Sequence, residues 1–179
     1  MTQLAFYPLW FTVLLTCLAG IWDLRTGIIP NRLLLFGGCS GLVLRLGVAA
    51  ESGDALRALA LTVVGMALVS LVPLLLYRAG GIGGGDVKLL AVVGALLGPY
   101  LGLEVELYAF AATVLYAPAR LIWEGKLVSS MRSVGQLVAT PFAKRPQPTA
   151  ACELTSFRFG PAIFAGALIA AGLRVGGLA

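Results

Sequence analysis

Apolar segments of roughly membrane-spanning length recur along the whole chain, and they restrict its possible folds more than any other feature. Of the 179 residues, 59% are hydrophobic and 12% are charged, whereas soluble domains carry about 25% charged residues. About 20 apolar residues in helical form cross a bilayer, and no polar stretch is long enough for a separate soluble domain. We therefore expect an all-α membrane protein in which residues 1–179 form one polytopic membrane domain.

The apolar segments predict six transmembrane helices separated by short polar or glycine-rich connections. Two of these connections are the polar residues 51–54 and the turn marked by Glu104 and Glu106. Residues 1–22 lack the basic start and the cleavage site of a removable signal peptide, so they are predicted to stay as the first helix. The predicted spans are about 4–22, 33–48, 57–78, 87–101, from the Glu104 turn to about 123, and 159–177.

Residues 124–157 form the only long connection and contain no predicted span. Apolar residues recur there at helical spacing, opposite basic and polar residues. This pattern predicts a short amphipathic helix at 126–138 that lies on the membrane surface. The apolar positions are Leu127, Met131, Val134 and Val138.

The positions of lysine and arginine predict that the N-terminus is outside. In this orientation ten of the 13 basic residues lie on the cytoplasmic side, and only Arg45, Arg57 and Arg174 lie on the outer side. The net charge of +5 is then explained by topology, and no nucleic-acid partner is expected. The same topology brings Asp23, after the first helix, and Asp86, before the fourth, to one membrane depth.

A run of five glycines within residues 80–85 precedes Asp86 and Lys88. Glycine permits irregular backbone conformations and lets another backbone approach closely. The run is therefore predicted to be a functional segment beside Asp86. The alternative is a flexible loop in which Asp86 caps the next helix. A nucleotide site is not favoured, because no Ser or Thr follows Lys88 and no β-strand precedes the run. Lys88 is expected to be an interfacial anchor or to modulate the acids.

The chain contains no histidine and only three widely spaced cysteines. The lack of histidine excludes Ser-His and Cys-His nucleophile systems, and the cysteine spacing indicates neither a disulfide framework nor a thiolate metal site. No metal and no cofactor are expected. Hydrolytic chemistry in this chain would have to use carboxylates.

Carboxylates at membrane depth are costly and therefore indicate functional sites. If Asp23 and Asp86 lie close together, they share one proton. The ionised acid then takes a proton from an attacking water while the protonated acid donates to the substrate carbonyl oxygen. The alternative for Asp23 is that it merely ends a helix beside Arg25.

Small residues also recur at a spacing of four. We interpret them as sites of close helix packing rather than of catalysis. They are Gly37/Gly41, Gly94/Gly98/Gly102 and Gly172/Gly176.

Three motifs resemble those of the type IV prepilin peptidases. Residues 83–86 match the G-x-G-D signature of intramembrane aspartyl proteases, and Asp23 is followed after five residues by Ile29-Pro30-Asn31, as in the first aspartate motif of that family. Phe159-Gly160-Pro161 is similar to its C-terminal segment. Presenilin-type relatives share the second motif but have a Tyr-Asp first motif that this chain lacks.

The resemblance implies an endopeptidase that removes the basic leader of prepilins or pseudopilins at the cytoplasmic face of the bacterial inner membrane, cutting after a glycine. It implies Asp23 and Asp86 as the catalytic pair, and the expected partners are these substrates and the lipid bilayer. Larger members carry an N-terminal region with paired cysteines that is associated with methylation. We expect a short form without it, similar to those found with tight-adherence (Flp) pili. Residues expected at the active-site backbone or substrate are Gly83, Gly84, Gly85, Lys88, Pro30 and Asn31.

A non-enzymatic membrane subunit is the competing hypothesis. In a small transporter or an assembly scaffold, Asp23 and Asp86 would pair with Arg25 and Lys88 or relay protons.

Overall fold

The computed structural model describes residues 7–51, 53–79, 81–123 and 159–176, except for the side chains of 117–123. All regular structure within these ranges is helical, as the apolar pattern predicts. The helices are α1 (Tyr7–Thr26), α2 (Asn31–Glu51), α3 (Ala55–Arg78), α4 (Gly84–Trp123) and α5 (Gly160–Val175).

Helices α1 to α4 are long and apolar enough to cross a membrane, and α5 is a shorter apolar helix. Large apolar side chains stay exposed on α2 and α3, including Phe36, Val43 and Leu71. Exposed apolar surface of this kind is typical of helices that contact lipid rather than water. The prediction of an all-helical membrane protein is confirmed, whereas six spans and an outside N-terminus stay predictions.

Helix α4 covers the predicted fourth and fifth helices and is interrupted at Gly98. Gly98 has φ 80° and ψ −179°, a left-handed backbone that glycine adopts without steric cost. A Cβ placed on Gly102 would lie 3.0 Å from Cα of Gly94, although residues eight apart in a continuous helix are about 12 Å apart. The chain therefore folds back at Gly98 into a first arm (residues 84–97) and a second arm (99–123).

The predicted polar turn at Glu104 and Glu106 is wrong. Both residues lie inside the second arm, and the break comes six residues before Glu104, at Gly98. The turn prediction relied on charge, but Glu104 is satisfied within the helical region by an ion pair with Arg174, 2.9 Å between Oε2 and Nη2. Backbone conformation, rather than the two carboxylates, determines where the helix reverses.

Glycines allow the helices of this fold to approach closely, as predicted. Gly65 of α3 and Gly94 of the first arm are in direct backbone contact, because a Cβ on either would collide with the other's carbonyl oxygen. A Cβ on Gly41 of α2 would lie 2.5 Å from Cδ2 of Leu96. Packing is likewise tight at Gly37, where a Cβ would meet the Leu15 side chain.

The packing prediction is wrong at Gly172, where an added Cβ would meet nothing within 4 Å among the described residues. Gly176 is the C-cap residue of α5, where its N–H donates to the Gly172 carbonyl oxygen. Spacing alone does not distinguish a glycine in an interface from one on a free helix face.

Helix α1 packs against α5 and α2, and α2 packs against α3. The buried face of α1 includes Thr12, Thr16, Ala19, Gly20 and Asp23. The two threonine hydroxyls donate to backbone carbonyls four residues earlier, at 2.7 and 2.8 Å. Because their polar groups are satisfied within the helix, this face can be buried up to the carboxylate of Asp23.

The described residues up to Ala112 and from Phe159 onward form one compact unit, and the end of α4 from Thr113 belongs to a second. The single membrane domain of residues 1–179 stays a prediction. The predicted surface helix at 126–138 lies outside the described residues. The predicted last helix, 159–177, is confirmed as α5.

Candidate active site

Asp23 lies in the last turn of α1 and is buried, with 5% of its surface exposed. The helix ends just after it: the N–H of Gly27 donates to the Asp23 carbonyl oxygen at 2.8 Å, and Gly27 has φ 70°, the left-handed conformation typical of a helix C-terminus. Pro30 then precedes α2 and accepts a hydrogen bond from the N–H of Leu34 at 3.3 Å. The sequence between the aspartate and Asn31 is therefore a compact connection that ends one helix and starts the next.

Asp86 is the third residue of α4 and is buried, with 7% exposed. Its N–H donates to the carbonyl oxygen of Gly83 at 3.2 Å, which closes the first turn of the helix. A Cβ on Gly83 would lie 3.1 Å from Oδ2 of Asp86. The lack of side chains before Asp86 lets its carboxyl group fold back over the start of its own helix.

The two acids are neighbours although 63 residues separate them in the sequence. The charge of Asp23 acts directly on the carboxyl group of Asp86, as expected for two acids that share one buried environment. The connection after Asp23 also contacts the glycine run, since Cβ of Ile29 would lie 3.3 Å from a Cβ on Gly85. The topological prediction that Asp23 and Asp86 share one depth is consistent with this contact.

One carboxyl oxygen of the pair stands out. Oδ1 of Asp86 is buried and has no hydrogen-bond partner among the described residues. Leaving a buried polar atom without a partner is costly, and such atoms occur where function requires them. This oxygen is suited to a partner that arrives during a reaction, such as a water or a peptide carbonyl.

Lys88 and Asn31, both predicted at the substrate or active-site backbone, contact each other. The Lys88 ammonium donates to Oδ1 of Asn31 at 3.0 Å, and both residues are exposed. This bond joins the start of α2 to the second turn of α4, and hence the two aspartate motifs. Both roles considered for Lys88, an interfacial anchor or a modulator of the acids, stay predictions.

The glycines of the run have different neighbours. A Cβ on Gly84 would lie 3.3 Å from Cε2 of Tyr77, and Gly85 faces Ile29. Gly83 is exposed beside Asp86. Gly83 is therefore the glycine of the run that leaves the backbone next to Asp86 accessible.

Gly160 contacts the site and was not predicted as a site residue. Its N–H donates to Oδ2 of Asp23 at 3.1 Å, a buried hydrogen bond that spans 137 residues of sequence. The Phe159-Gly160-Pro161 motif was the available signal, but a motif does not reveal which side chain its backbone contacts. No group of three or more His, Cys, Asp or Glu residues suited to a metal occurs in the described part of the chain.

A family model described as the type IV leader peptidase family matches residues 9–118, more than half of the chain. The match includes both aspartate motifs and ends before Gly160. No curated protein and no solved structure matches the chain. On this match, and in agreement with the resemblance of its motifs, the chain belongs to the type IV leader peptidase family.

Proposed function

We propose that this chain is an aspartic endopeptidase that removes the basic leader peptide from type IV prepilins or pseudopilins at the cytoplasmic side of the bacterial inner membrane. The observation that carries the proposal is the pair of motif aspartates, Asp23 and Asp86, buried as interacting neighbours at the ends of two helices. Membership of the leader peptidase family supports a peptidase in general. The aspartic mechanism and the prepilin substrate are the further steps of the proposal.

In the proposed reaction the ionised acid takes a proton from a water molecule, whose oxygen attacks the carbonyl carbon of the scissile peptide bond. The protonated acid donates its proton to the carbonyl oxygen, and a tetrahedral diol forms. The acid that took the water proton then gives it to the leaving nitrogen, the other acid takes a proton from one hydroxyl of the diol, and the carbon–nitrogen bond breaks. A new carboxyl group and a new amine result, and the pair again holds one proton. Oδ1 of Asp86, buried without a partner among the described residues, is the candidate donor to the substrate oxygen.

The proposed topology has six passes: α1, α2, α3, the two arms of α4, and α5. The reversal at Gly98 supports it, because it divides α4 into two arms and brings Gly102 back beside Gly94. With the N-terminus outside, the C-terminal end of α1 and the start of α4 are on the cytoplasmic side, where basic residues are concentrated. A substrate with a basic leader on the cytoplasmic side would then present its cleavage site at the depth of Asp23 and Asp86.

The alternative is a transporter or scaffold in which the aspartates pair with Arg25 and Lys88 or relay protons, and its ion-paired form requires a cation for Asp86. The nearest candidate by sequence, Lys88, instead donates to Asn31, and Oδ1 of Asp86 has no hydrogen-bond partner in the described ranges. An acid kept for structural pairing would have both oxygens satisfied. This observation favours the enzyme over the ion-paired form, and the cleavage assay separates the enzyme from a proton relay.

Co-expression with a tagged prepilin, followed by electrophoresis of the processed and unprocessed forms, tests the proposal. Asp23→Asn and Asp86→Asn are each expected to slow leader removal by about 100-fold or more, because each removes a proton donor or acceptor from the reaction. Asp54→Asn is the matched control. Asp54 is the one aspartate of the sequence outside the pair, is exposed, and makes no side-chain cap hydrogen bond. Leader removal at the wild-type rate by either active-site variant would reject the peptidase.

A further inference from the structure

We propose that Gly160 is a positioning residue of the active site, whose backbone N–H fixes the orientation in which the Asp23 carboxyl group meets the attacking water. The inference rests on the proposed function, because it assigns Gly160 a part in the same reaction. Gly160 lies outside the residues that the family model matches. It makes the start of α5 a third component of a site otherwise formed by the two aspartate motifs.

The first argument is the hydrogen bond itself. The N–H of Gly160 donates to Oδ2 of Asp23 at 3.1 Å in a buried setting. Gly160 is the first residue of α5, and the first N–H groups of a helix have no acceptor within the helix. The N–H is therefore directed to a group outside α5, and Asp23 provides the acceptor. An aligned helix N-terminus also attracts a carboxylate electrostatically.

The second argument is steric. A Cβ on Gly160 would lie 2.9 Å from Oδ2, 3.0 Å from Cβ and 3.2 Å from Cγ of Asp23. Contacts this short require Asp23 to move, so only glycine lets the amide approach the carboxyl group in this way. Gly160 is buried at the start of α5 and does not have a positive φ, so its backbone conformation does not require glycine. The close approach to Asp23 does.

The third argument is that both sides of the contact are held in place. Phe159 is 1% exposed, and its ring lies 5.3 Å from that of Phe110 in the second arm of α4. On α1, one turn before Asp23, a Cβ on Gly20 would lie 3.4 Å from the Gly160 carbonyl oxygen and 3.4 Å from Cα of Pro161. The amide thus lies in a packed setting against the helix that carries Asp23, which is what a positioning group requires.

The simplest test compares two glycine-to-alanine variants on α5 in the full chain, purified in nanodiscs. Gly160→Ala is expected to lower kcat for a prepilin-type peptide more than tenfold with KM within about twofold, because the residue acts on Asp23 and not on the substrate. Gly166→Ala is the matched control. Its Cβ would lie 2.5 Å from the Val105 carbonyl oxygen and 2.7 Å from the Ala109 nitrogen, so it disturbs the same helix away from the aspartates. An equal kcat loss in both variants would overturn the inference.

In a second pair of variants, each member lacks one backbone N–H and gains no atoms on Cα. Cell-free synthesis with a hydroxy acid at position 160 replaces the Gly160 N–H by an ester oxygen. The expected loss in kcat is about tenfold, the effect of one hydrogen bond to a carboxylate. The control is a hydroxy acid at position 162, which removes the Ala162 N–H that donates to the Phe159 carbonyl oxygen at 3.0 Å. It should stay within about twofold of wild type.

A spectroscopic measurement on the aspartate side chains tests the inference separately from the proposed function. The chain has three aspartates, Asp23, Asp54 and Asp86, so selective ¹³C labelling of aspartate gives three side-chain carboxyl signals that single Asn variants assign. The ester at 160 is expected to shift the Asp23 signal, whereas the ester at 162 leaves it in place. An unmoved Asp23 signal would overturn the inference even in an active enzyme. Absence of cleavage by the wild-type chain would instead reject the function and leave this signal as the test of the contact.

Discussion

Around Gly98, where α4 reverses, the charged groups have protein partners. The guanidinium of Arg45 donates to the carbonyl oxygens of Leu96, at 2.5 Å, and Ala95, at 3.4 Å, which lie at the end of the first arm. Arg174 pairs with Glu104 at the start of the second arm. These contacts satisfy the orphan carbonyls of a helix end and neutralise a carboxylate. We call Gly98, Arg45, Glu104 and Arg174 the reversal region.

At the other end of the first arm, the charge of Asp23 acts on the carboxyl group of Asp86, and the backbone amide of Gly160 donates to Asp23. Oδ1 of Asp86 has no hydrogen-bond partner among the described residues. The first arm thus begins with a buried acid that has an unpartnered oxygen and ends at a reversal where Arg45 and Glu104 have partners, while Nε of Arg174 is buried without a hydrogen-bond partner among the described residues. Arg174 has an opposite charge beside it in Glu104, whereas the carboxyl group of Asp86 lies under the influence of a second acid. Because like charges placed together oppose stability, the region that contains them is the one we assign to function.

Glu106 tests the generality of this contrast. It is 4% exposed, and neither of its carboxyl oxygens has a hydrogen-bond partner among the described residues. It therefore resembles Asp86 in burial but lies in the second arm, outside the two aspartate motifs. If lack of partners alone defined function, Glu106 would be as important as Asp86.

The largest expected effect compares Asp86→Asn with Glu106→Gln, two isosteric changes of buried acids. Asp86→Asn should lower cleavage by about 100-fold or more while the thermal unfolding midpoint stays equal or rises, because a repulsion with Asp23 is removed. Glu106→Gln should keep cleavage within about threefold of wild type. Processing assays and thermal unfolding in nanodiscs measure both. A comparable loss of cleavage in Glu106→Gln would break the contrast between the two acids.

Next in size is Gly98→Ala in the reversal region. A left-handed backbone costs a residue with a side chain about 1–2 kcal/mol, and the new Cβ would lie 3.0 Å from Nη2 of Arg45. We expect a loss of about 2 kcal/mol or more in unfolding free energy, measured by denaturant titration in detergent. Gly172→Ala is the control, since its Cβ meets nothing within 4 Å in the described structure and alanine favours the helix. Equal stability of the two variants would contradict the assigned role of Gly98.

Arg174→Met is expected to lower stability and leave the chemistry intact. The ion pair with Glu104 is only partly exposed, with side-chain exposures of 29% and 22%, so removal of one partner should cost about 1–2 kcal/mol. Adding Glu104→Gln should cost less than the sum of the two single changes, because the groups interact. The kcat of the folded fraction should match wild type. A selective fall in kcat would extend the functional region to this end of the arm.

The smallest effect concerns the bond between Lys88 and Asn31. Both residues are exposed, so Lys88→Met and Asn31→Leu should each reduce cleavage by only about threefold, as is typical of exposed polar pairs. If the bond acts through alignment of the two motifs, the double variant should be no slower than the single ones. Additive losses in a four-way kinetic cycle would show that the two residues act separately.

Most of the helical architecture could be predicted, because the length of an apolar segment and the glycine or proline residues that interrupt it are local properties of the chain. α1, α2, α3 and α5 fall within a few residues of the predicted spans. The reversal was misplaced to Glu104 and Glu106, since charge was taken as a mark of a loop. It depends instead on the backbone of Gly98 and on partners, Arg45 and Arg174, that come from distant helices.

By itself the sequence determined the membrane class and the lack of histidine, and it singled out Asp23 and Asp86 as the acids proposed for catalysis. These follow from composition and local motifs. Only the tertiary structure decided that the Lys88 ammonium bonds to Asn31, that Oδ1 of Asp86 is left without a partner in the described residues, and that Gly160 donates to Asp23. Such contacts join residues 57 or 137 positions apart. They depend on how the helices pack, and no local pattern specifies them.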